Sequence, residues 1–233
     1  MPIDDKILSN KDIVDEVMYK ILNDLLNDKK SDIIFNCFGI YHIIYLIYWH
    51  ILFTIKLEVF RMRLTLETDR LLLRPFRKED AESVFNNYAS DDEVTKYVTW
   101  CTHENIEVTK SLLDFWIKQY EKEERINFAI ELKENGELIG GIDVVGYLEG
   151  IPVLGYVIAR KYWGKGIATE ATKKVIELLF SLNHKEIIID AMEENIGSNK
   201  VIIKCNGIYQ NTYDDECKGK TVKINRYIVK KES

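Results

Sequence analysis

The stretch VIARKYWGKGIATEATKKVIELLF, residues 157–180, limits the folds open to this chain more than any other. An apolar, strand-like run ending at Ala159 breaks at Trp163, Gly164, Lys165 and Gly166, and an apolar rhythm at helical spacing follows. A strand that turns directly into a helix exposes the helix's first N–H groups, and glycines there let a ligand approach the backbone. Such an end attracts anions. Gly164, Gly166 and Ala168 are small at every second position, a smooth wall for a diphosphate, with Lys161 and Lys165 adding positive charge. The plain alternative is a tight turn with no ligand.

The surrounding pattern is that of one mixed α/β domain running from Met62 to the end, residues 62–233. Strands are predicted over LLLRPF (71–76), NFAIEL, ELIGGIDVVG, VLGYVIA and EIIIDAM (186–192). Helical spacing marks KEDAESVFNNYA, NIEVTKSLLDFWIKQYEKE, residues 166–182 and GSNKVIIKC. Asn135-Gly136 signals a hairpin, and Lys218-Gly219-Lys220 another at the end of the chain.

Residues 1–61 read as a separate N-terminal extension. Ile13, Val17, Ile21 and Leu25 give its first part an amphipathic helical rhythm. Residues 33–55 then hold no Asp, Glu, Lys or Arg, long enough for a helix to cross a membrane. Against an anchor, Asn36, His42 and His50 interrupt the run, and its Tyr and Trp residues lie towards the middle instead of at the two ends. A packed helical extension and an incidental leader are the other readings. A signal peptide does not fit, because the segment is acidic and the apolar run starts late.

A net charge of −6 argues against a protein that grips a nucleic-acid backbone over a wide surface. Cys37, Cys101, Cys205 and Cys217 show no C-x-x-C spacing, so they predict no metal site and read as free thiols of a reducing compartment. A cytoplasmic protein follows, tethered to a membrane only if residues 33–55 are an anchor. Monomer and homodimer both stay open.

Three phosphate-binding schemes compete at the glycines. No G-x-x-x-x-G-K-[ST] occurs, which removes a P-loop. A dinucleotide fingerprint starting at Gly164 would need glycine where Thr169 stands, although Asp190 at the end of the next strand mimics its ribose-binding acid. The third scheme fits better. The run GYVIARKYWGKGIATEA resembles motif A of the GNAT acyltransferase superfamily, Gln/Arg-x-x-Gly-x-Gly/Ala, with Trp163 in the first position, Gly166 in the fourth and Ala168 in the sixth. LETDRLLLRPFRKEDAESVF and ENIGSNKVIIKCNG resemble the RimJ/RimL-like branch of ribosomal-protein-type N-acetyltransferases.

The resemblance implies an α/β (α+β) fold: a GNAT-like open mixed sheet of six or seven strands flanked by about four helices, with two central strands splayed apart. Those are the strand ending at Ala159 and the one at 187–190. It implies acetyl-CoA as cosubstrate and no metal. The pantetheine arm would pair with Val157, Ile158 and Ala159, and the pyrophosphate would meet the loop of Trp163, Gly164, Lys165, Gly166, Ile167, Ala168 and Thr169. The acceptor is an amine, either a protein N-terminus or a small molecule.

Acetyl transfer needs a free amine, a donor to the developing oxyanion and a proton for the thiolate. The Ile158 N–H is the expected oxyanion donor, and Asp143 is the leading carboxylate for a base, against an outward-facing strand position as its alternative. The Glu that many relatives carry is here Val153, and their thiolate-protonating Tyr is Ile202. Ser198 is the substitute the RimL-like pattern suggests, with Asn195 holding the pantetheine amide or ordering the loop; both also suit plain helix capping. Tyr97, Trp100 and His103 are expected to shape the acceptor pocket, and Lys200, with Lys204, to touch the adenosine phosphate. A non-catalytic acyl-CoA sensor and a dinucleotide-binding oxidoreductase are the alternatives to an acetyltransferase.

Overall fold

The computed structural model describes residues 65–121 and 126–231. The predicted extension over residues 1–61, with its apolar run 33–55, lies outside the described residues. In chain order the elements are β1 (Leu66–Glu67), β2 (Leu71–Arg74), α1 (Ala81–Val84), α2 (Asp92–Thr95) and α3 (Ile106–Glu121). Then come β3 (Asn127–Leu132), β4 (Leu138–Leu148), β5 (Ile151–Ile158), α4 (Ile167–Ser181), β6 (Glu186–Met192), α5 (Ile196–Lys204), β7 (Ile208–Cys217) and β8 (Lys220–Lys230). Among the described residues no helix is long and apolar enough to cross a membrane.

The strands form one sheet in the order β1-β2-β3-β4-β5-β6-β8-β7, eight where six or seven were expected. The smallest of them is β1, a two-residue strand too short to leave a periodic signal. Every pairing is antiparallel except β5 with β6. That parallel pair meets at a single register point, Val153 opposite Ile188, and beyond it the strands part. The splay implied by the resemblance is therefore present.

The sheet carries a core on each face. Leu71, Leu73, Ile142, Leu154, Ile158 and Ile187 pack with Ile167, Ala171 and Val175 of α4 and Ile202 of α5. Ala129, Leu138 and Ala159 pack on the other side with Val84, Tyr88 and Leu113 from the first helices. Period-two alternation in the strands sends successive side chains to these two layers. At Gly140 the strands come so close that a Cβ would lie 2.3 Å from the Val157 carbonyl oxygen, so glycine is required for β4 to pair with β5.

Between β2 and α1 sits a buried ion pair. Arg74, 6% exposed, donates from Nη1 and Nη2 to the Asp80 carboxylate at 2.8 Å each and from Nε to Glu131 at 2.8 Å. Burial alone would push the guanidinium down, but the two carboxylates outweigh it and raise its pKa.

The predicted helix over 78–89 is present and changes pitch along its length: a 3₁₀ turn at Lys78–Asp80, α1, and a π turn at Phe85–Ala89. The wide turn closes when the Ser90 N–H and Oγ both donate to the Phe85 carbonyl. The Ala89 carbonyl accepts from the His103 N–H at 2.9 Å, which draws the following loop against the sheet.

Candidate functional site

A cavity of about 1250 Å³ runs through the gap between β5 and β6 and reaches both faces of the sheet. It collects most of the residues singled out in the sequence: Tyr97, Trp100, His103, Asp143, Val157, Ile158, Trp163, Gly164, Gly166, Ile167, Ala168, Thr169, Asn195, Ser198 and Lys200. Ala159 and Lys165 do not line it.

The edge of β5 that faces the gap follows from its hydrogen bonds. Ala159 N–H donates to the Ile139 carbonyl at 2.8 Å, and Gly140 lies opposite Ile158. In an antiparallel ladder the backbone groups of successive residues point to opposite sides, so Ile158 directs its N–H and C=O away from β4 and into the gap. Val157 directs its N–H and C=O, and Ala159 its N–H, at β4. The expected pairing along all three residues is thereby narrowed to Ile158, because both backbone groups of Ala159 are engaged, its carbonyl accepting from Tyr162 N–H at 2.9 Å. The Trp163 indole donates to the Ile158 carbonyl at 2.7 Å.

At one end of the gap, Gly164 and Gly166 hold φ of +74° and +78°, values that side chains disfavour. Gly166 is the N-cap of α4, and no side chain caps the first turn, so the amides of Ile167, Ala168 and Thr169 stand open to an anion. The loop is held from below by Arg70, which donates from Nη1 to the Lys165 carbonyl at 3.1 Å and from Nε to Glu170 at 2.7 Å. Thr68 Oγ1 also donates to Glu170, at 2.5 Å. Burial pushes the Glu170 carboxyl up, but these hydrogen bonds outweigh it and hold it below the usual glutamate range. The tie is therefore intact at neutral pH and is lost as pH falls through that depressed value. The Lys165 ammonium lies 5.0 Å from the Tyr162 ring centre, and Lys161 pairs with Glu137.

On the α4 and α5 side of the gap, Asn195 caps α5 by accepting from the Ser198 N–H at 3.0 Å, the structural role that was the alternative to a catalytic one. Asn199 fixes the same turn by donating to the Met192 and Asn195 carbonyls and accepting from Asn225 and Tyr227. The Ser198 hydroxyl lies 2.8 Å from the Tyr156 hydroxyl. Ile202, where relatives carry Tyr, is fully buried in the core.

On the opposite side, half-buried Asp143 sits on β4 between Asn127 of β3 and Gly155 of β5 and lines the cavity, so it is not an outward-facing strand residue. Asn127, 3% exposed, also lines the cavity, with an Nδ2 that has no hydrogen-bond partner. His103 is buried, its Nδ1 2.7 Å from Thr109 Oγ1 and its ring 5.3 Å from that of Trp100; burial lowers its pKa, which keeps the ring neutral at pH 7. Trp100, Phe115 and Trp116 make the wall of this side largely apolar. Asp190, the ribose mimic of the dinucleotide reading, is committed instead to Arg226 at 3.0 and 2.7 Å and to the Tyr213 hydroxyl at 2.9 Å.

Sequence reasoning missed Tyr156, Asn199 and Asn127. All three stand in segments marked by the sequence, Asn199 in ENIGSNKVIIKCNG, Tyr156 in GYVIARKYWGKGIATEA and Asn127 in NFAIEL, but their partners are set by strand register and packing. Together the groups can hold an extended chain along one strand edge, an anion at its end, and a second molecule across the gap.

Comparisons with known proteins identify the family. Residues 70–207 match the model of a family described as an acetyltransferase (GNAT) domain. The chain is 34% identical over 142 residues to the uncharacterized N-acetyltransferase YoaA of Bacillus subtilis, covering 60% of this chain and 80% of that protein. It superposes on an acetyltransferase (GNAT family) from Bacillus anthracis with a TM-score of 0.64 and 25% identity, over 71% of this chain and 98% of the other. RimL, a ribosomal L7/L12 alpha-N-protein acetyltransferase solved in complex with coenzyme A, shares the fold at 13% identity with a TM-score of 0.64, over 71% of this chain and 97% of its own.

Proposed function

The chain belongs to the GNAT acetyltransferase family and is an N-acetyltransferase; on that premise we propose that it moves the acetyl group of acetyl-CoA directly to a primary amine, with both reactants held at once in the gap between β5 and β6. One observation carries this reading: a single cavity joins an anion cradle and a free strand edge on one side to an apolar chamber with a carboxylate on the other. Direct transfer needs that arrangement, since placing two reactants in contact removes much of the entropic barrier.

The residues fit coenzyme A. The uncapped first turn of α4, reached across glycines in a left-handed conformation, suits its pyrophosphate, and the gap-facing edge at Ile158 suits the amides of its pantetheine arm. Trp163 now holds the Ile158 carbonyl, so a pantetheine amide would take over that acceptor or bind beside the indole. Lys200, exposed on α5, stands ready for the adenosine phosphate. Bound there, acetyl-CoA supplies an activated acyl carbon.

In the proposed reaction the amine lone pair attacks that carbon while the Ile158 N–H receives the oxygen as it gains charge. The carbon–sulfur bond then breaks with its electron pair going to sulfur, and the proton lost by nitrogen ends there, so atoms and charge balance. Ser198 is the hydroxyl that meets the sulfur. Asp143 accepts from the incoming ammonium, and Tyr97, Trp100 and His103 wall the acceptor. A dedicated base is optional for an α-amine with a pKa near about 8, part of which is free at neutral pH.

A non-catalytic acyl-CoA sensor has one observation in its favour. The usual carboxylate and phenol positions are Val153, paired at the closed end of the gap, and Ile202, in the core. Incubating the full chain with acetyl-CoA and a panel of peptide N-termini, polyamines and aminoglycosides, while following free thiol and acetylated product, separates the readings. Thiol release matched by product mass is expected. Tight coenzyme binding with no release under any amine supports the sensor, and binding of NAD without coenzyme A supports the oxidoreductase.

Arg70 gives a test of the cradle that leaves the cavity lining intact. Arg70→Ala frees the Lys165 carbonyl and Glu170, and is expected to weaken coenzyme A binding about fivefold by titration calorimetry, roughly one ordinary hydrogen bond's worth of lost preorganisation. An unchanged dissociation constant would mean the loop holds its shape without this tie.

A further inference from the structure

We propose that Tyr156 is a positioning residue for the transfer: its hydroxyl donates to Ser198 Oγ and so turns the serine proton into the cavity, toward the departing sulfur. This rests on the reading of Ser198 as the sulfur's partner. Tyr156 lies on β5 two residues before Ile158, and its side chain packs against the core shared with α4 and α5. Ser198 stands in the first turn of α5, and the two hydroxyls are 2.8 Å apart although 42 residues separate them in the chain. Both residues line the cavity.

The backbone around Ser198 is held by hydrogen bonds on both sides. Its N–H is held by Asn195 and its neighbour Asn199 is tied to the Met192 carbonyl, Asn225 and Tyr227. What remains adjustable is the serine hydroxyl itself. A serine near a helix start has competing backbone acceptors, so an unassisted Ser198 would divide its proton among several directions.

Tyr156 removes that choice. Burial pushes its phenol pKa up, so it keeps its proton at neutral pH. Either hydroxyl can donate across the 2.8 Å contact, and the Ser198 carbonyl lies 3.4 Å from the phenol; in the proposed arrangement the phenol donates to Ser198 Oγ, the shorter of its two contacts. With one lone pair of Oγ occupied from behind, the serine proton is directed elsewhere. Hydrogen bonds in such a chain polarise one another, so the charge that gathers on sulfur meets a stronger donor than an isolated serine. Neither hydroxyl gains or loses a proton overall, because the proton that ends on sulfur comes from the amine nitrogen.

The test uses the full chain with coenzyme A itself and needs no knowledge of the acceptor. A donor aimed at sulfur stabilises the thiolate, so the thiol of bound coenzyme A should be more acidic than that of free coenzyme A, by about tenfold for one well-placed hydrogen bond. The acidity is read from thiolate absorbance as the difference between the complex with coenzyme A and that with desulfo-coenzyme A, which cancels the protein's own tyrosines. Tyr156→Phe should return most of that shift while leaving the dissociation constant within about twofold, a split that a loss of packing alone would not give. Ser198→Ala should return all of it, and the double variant no more than Ser198→Ala alone. A Tyr156→Phe protein that titrates like the parent while Ser198→Ala is shifted overturns the inference and spares the role of Ser198. If Ser198→Ala also titrates like the parent, the Ser198 reading falls and this inference with it; if coenzyme A does not bind, the acetyltransferase reading itself falls.

Discussion

Replacing Gly164 with aspartate is expected to weaken coenzyme A binding about a hundredfold while leaving the domain folded. Gly164 is exposed with φ of +74°, and a Cβ built there meets no atom within 4 Å. The substitution therefore brings only the backbone strain of a left-handed residue, about 1 kcal/mol and less for Asp than for most side chains. The effect on the ligand is different in kind. A carboxylate beside the amides of Ile167 to Thr169 competes with the diphosphate for those donors and repels it. Charges about 5 Å apart at an effective dielectric of about 20 to 40 interact by roughly 2–3 kcal/mol, which corresponds to about a thirtyfold to hundredfold loss.

Two controls isolate the charge. Gly164→Asn has nearly the same shape and should lose no more than about threefold. Gly166→Asp should lose less than Gly164→Asp, because Arg70 Nη2 lies 3.5 Å from the Cβ position at Gly166 and partly neutralises a carboxylate there. The penalty at Gly164 should shrink as salt is raised, since both groups are exposed. An aspartate at Gly164 that binds coenzyme A like the parent places the phosphates elsewhere, and the proposed assignments from Ile158 to Ser198 lose their anchor.

How much of this was legible in the sequence divides along a physical line. Local chemistry marked the elements: the helix expected over 166–182 runs over Ile167–Ser181, Asn135-Gly136 and Lys218-Gly219 make the expected turns, and Gly136 and Gly219 adopt φ of +70° and +72°. Each of these is decided within a few residues by side-chain period and by glycine's access to positive φ. The helical stretch expected over 78–89 is present at every residue, but its changes of pitch answer to partners outside it. The Asp80 carboxylate is drawn to Arg74, and the Ala89 carbonyl to His103. The pairing of Tyr156 with Ser198 and the commitment of Ala159 N–H to β4 depend on which strands lie side by side, which no window of sequence contains. The gap itself was expected only through the family resemblance. Its physical cause is the single register point at Val153 and Ile188, past which β5 turns into the glycine loop and β6 into α5.

Asp80→Ala is expected to cost about 3–5 kcal/mol of stability, read as a lower urea midpoint at unchanged slope. The carboxylate it removes receives two hydrogen bonds from Arg74 and one from the Arg77 N–H at 2.7 Å. Arg74 then keeps its ion pair with Glu131, but its Nη1 and Nη2 groups lose their carboxylate while almost wholly buried, and breaking a buried, hydrogen-bonded charge pair is among the few changes that remove several kcal/mol at once. The origin of the loss is checked by adding Arg74→Met. If the stranded guanidinium is responsible, the double variant should be more stable than Asp80→Ala alone, since an apolar side chain of similar length needs no partner. If the loss instead comes from the missing cap at Arg77, the second substitution destabilises further. Because this pair supports β2, β3 and the start of α1, and not the loop between β5 and α4, the folded fraction of Asp80→Ala should bind coenzyme A with the parent's affinity. Saturating coenzyme should accordingly raise the midpoint of both proteins by the same free energy. A coenzyme affinity that fell with stability would instead show that the cradle depends on the far edge of the sheet.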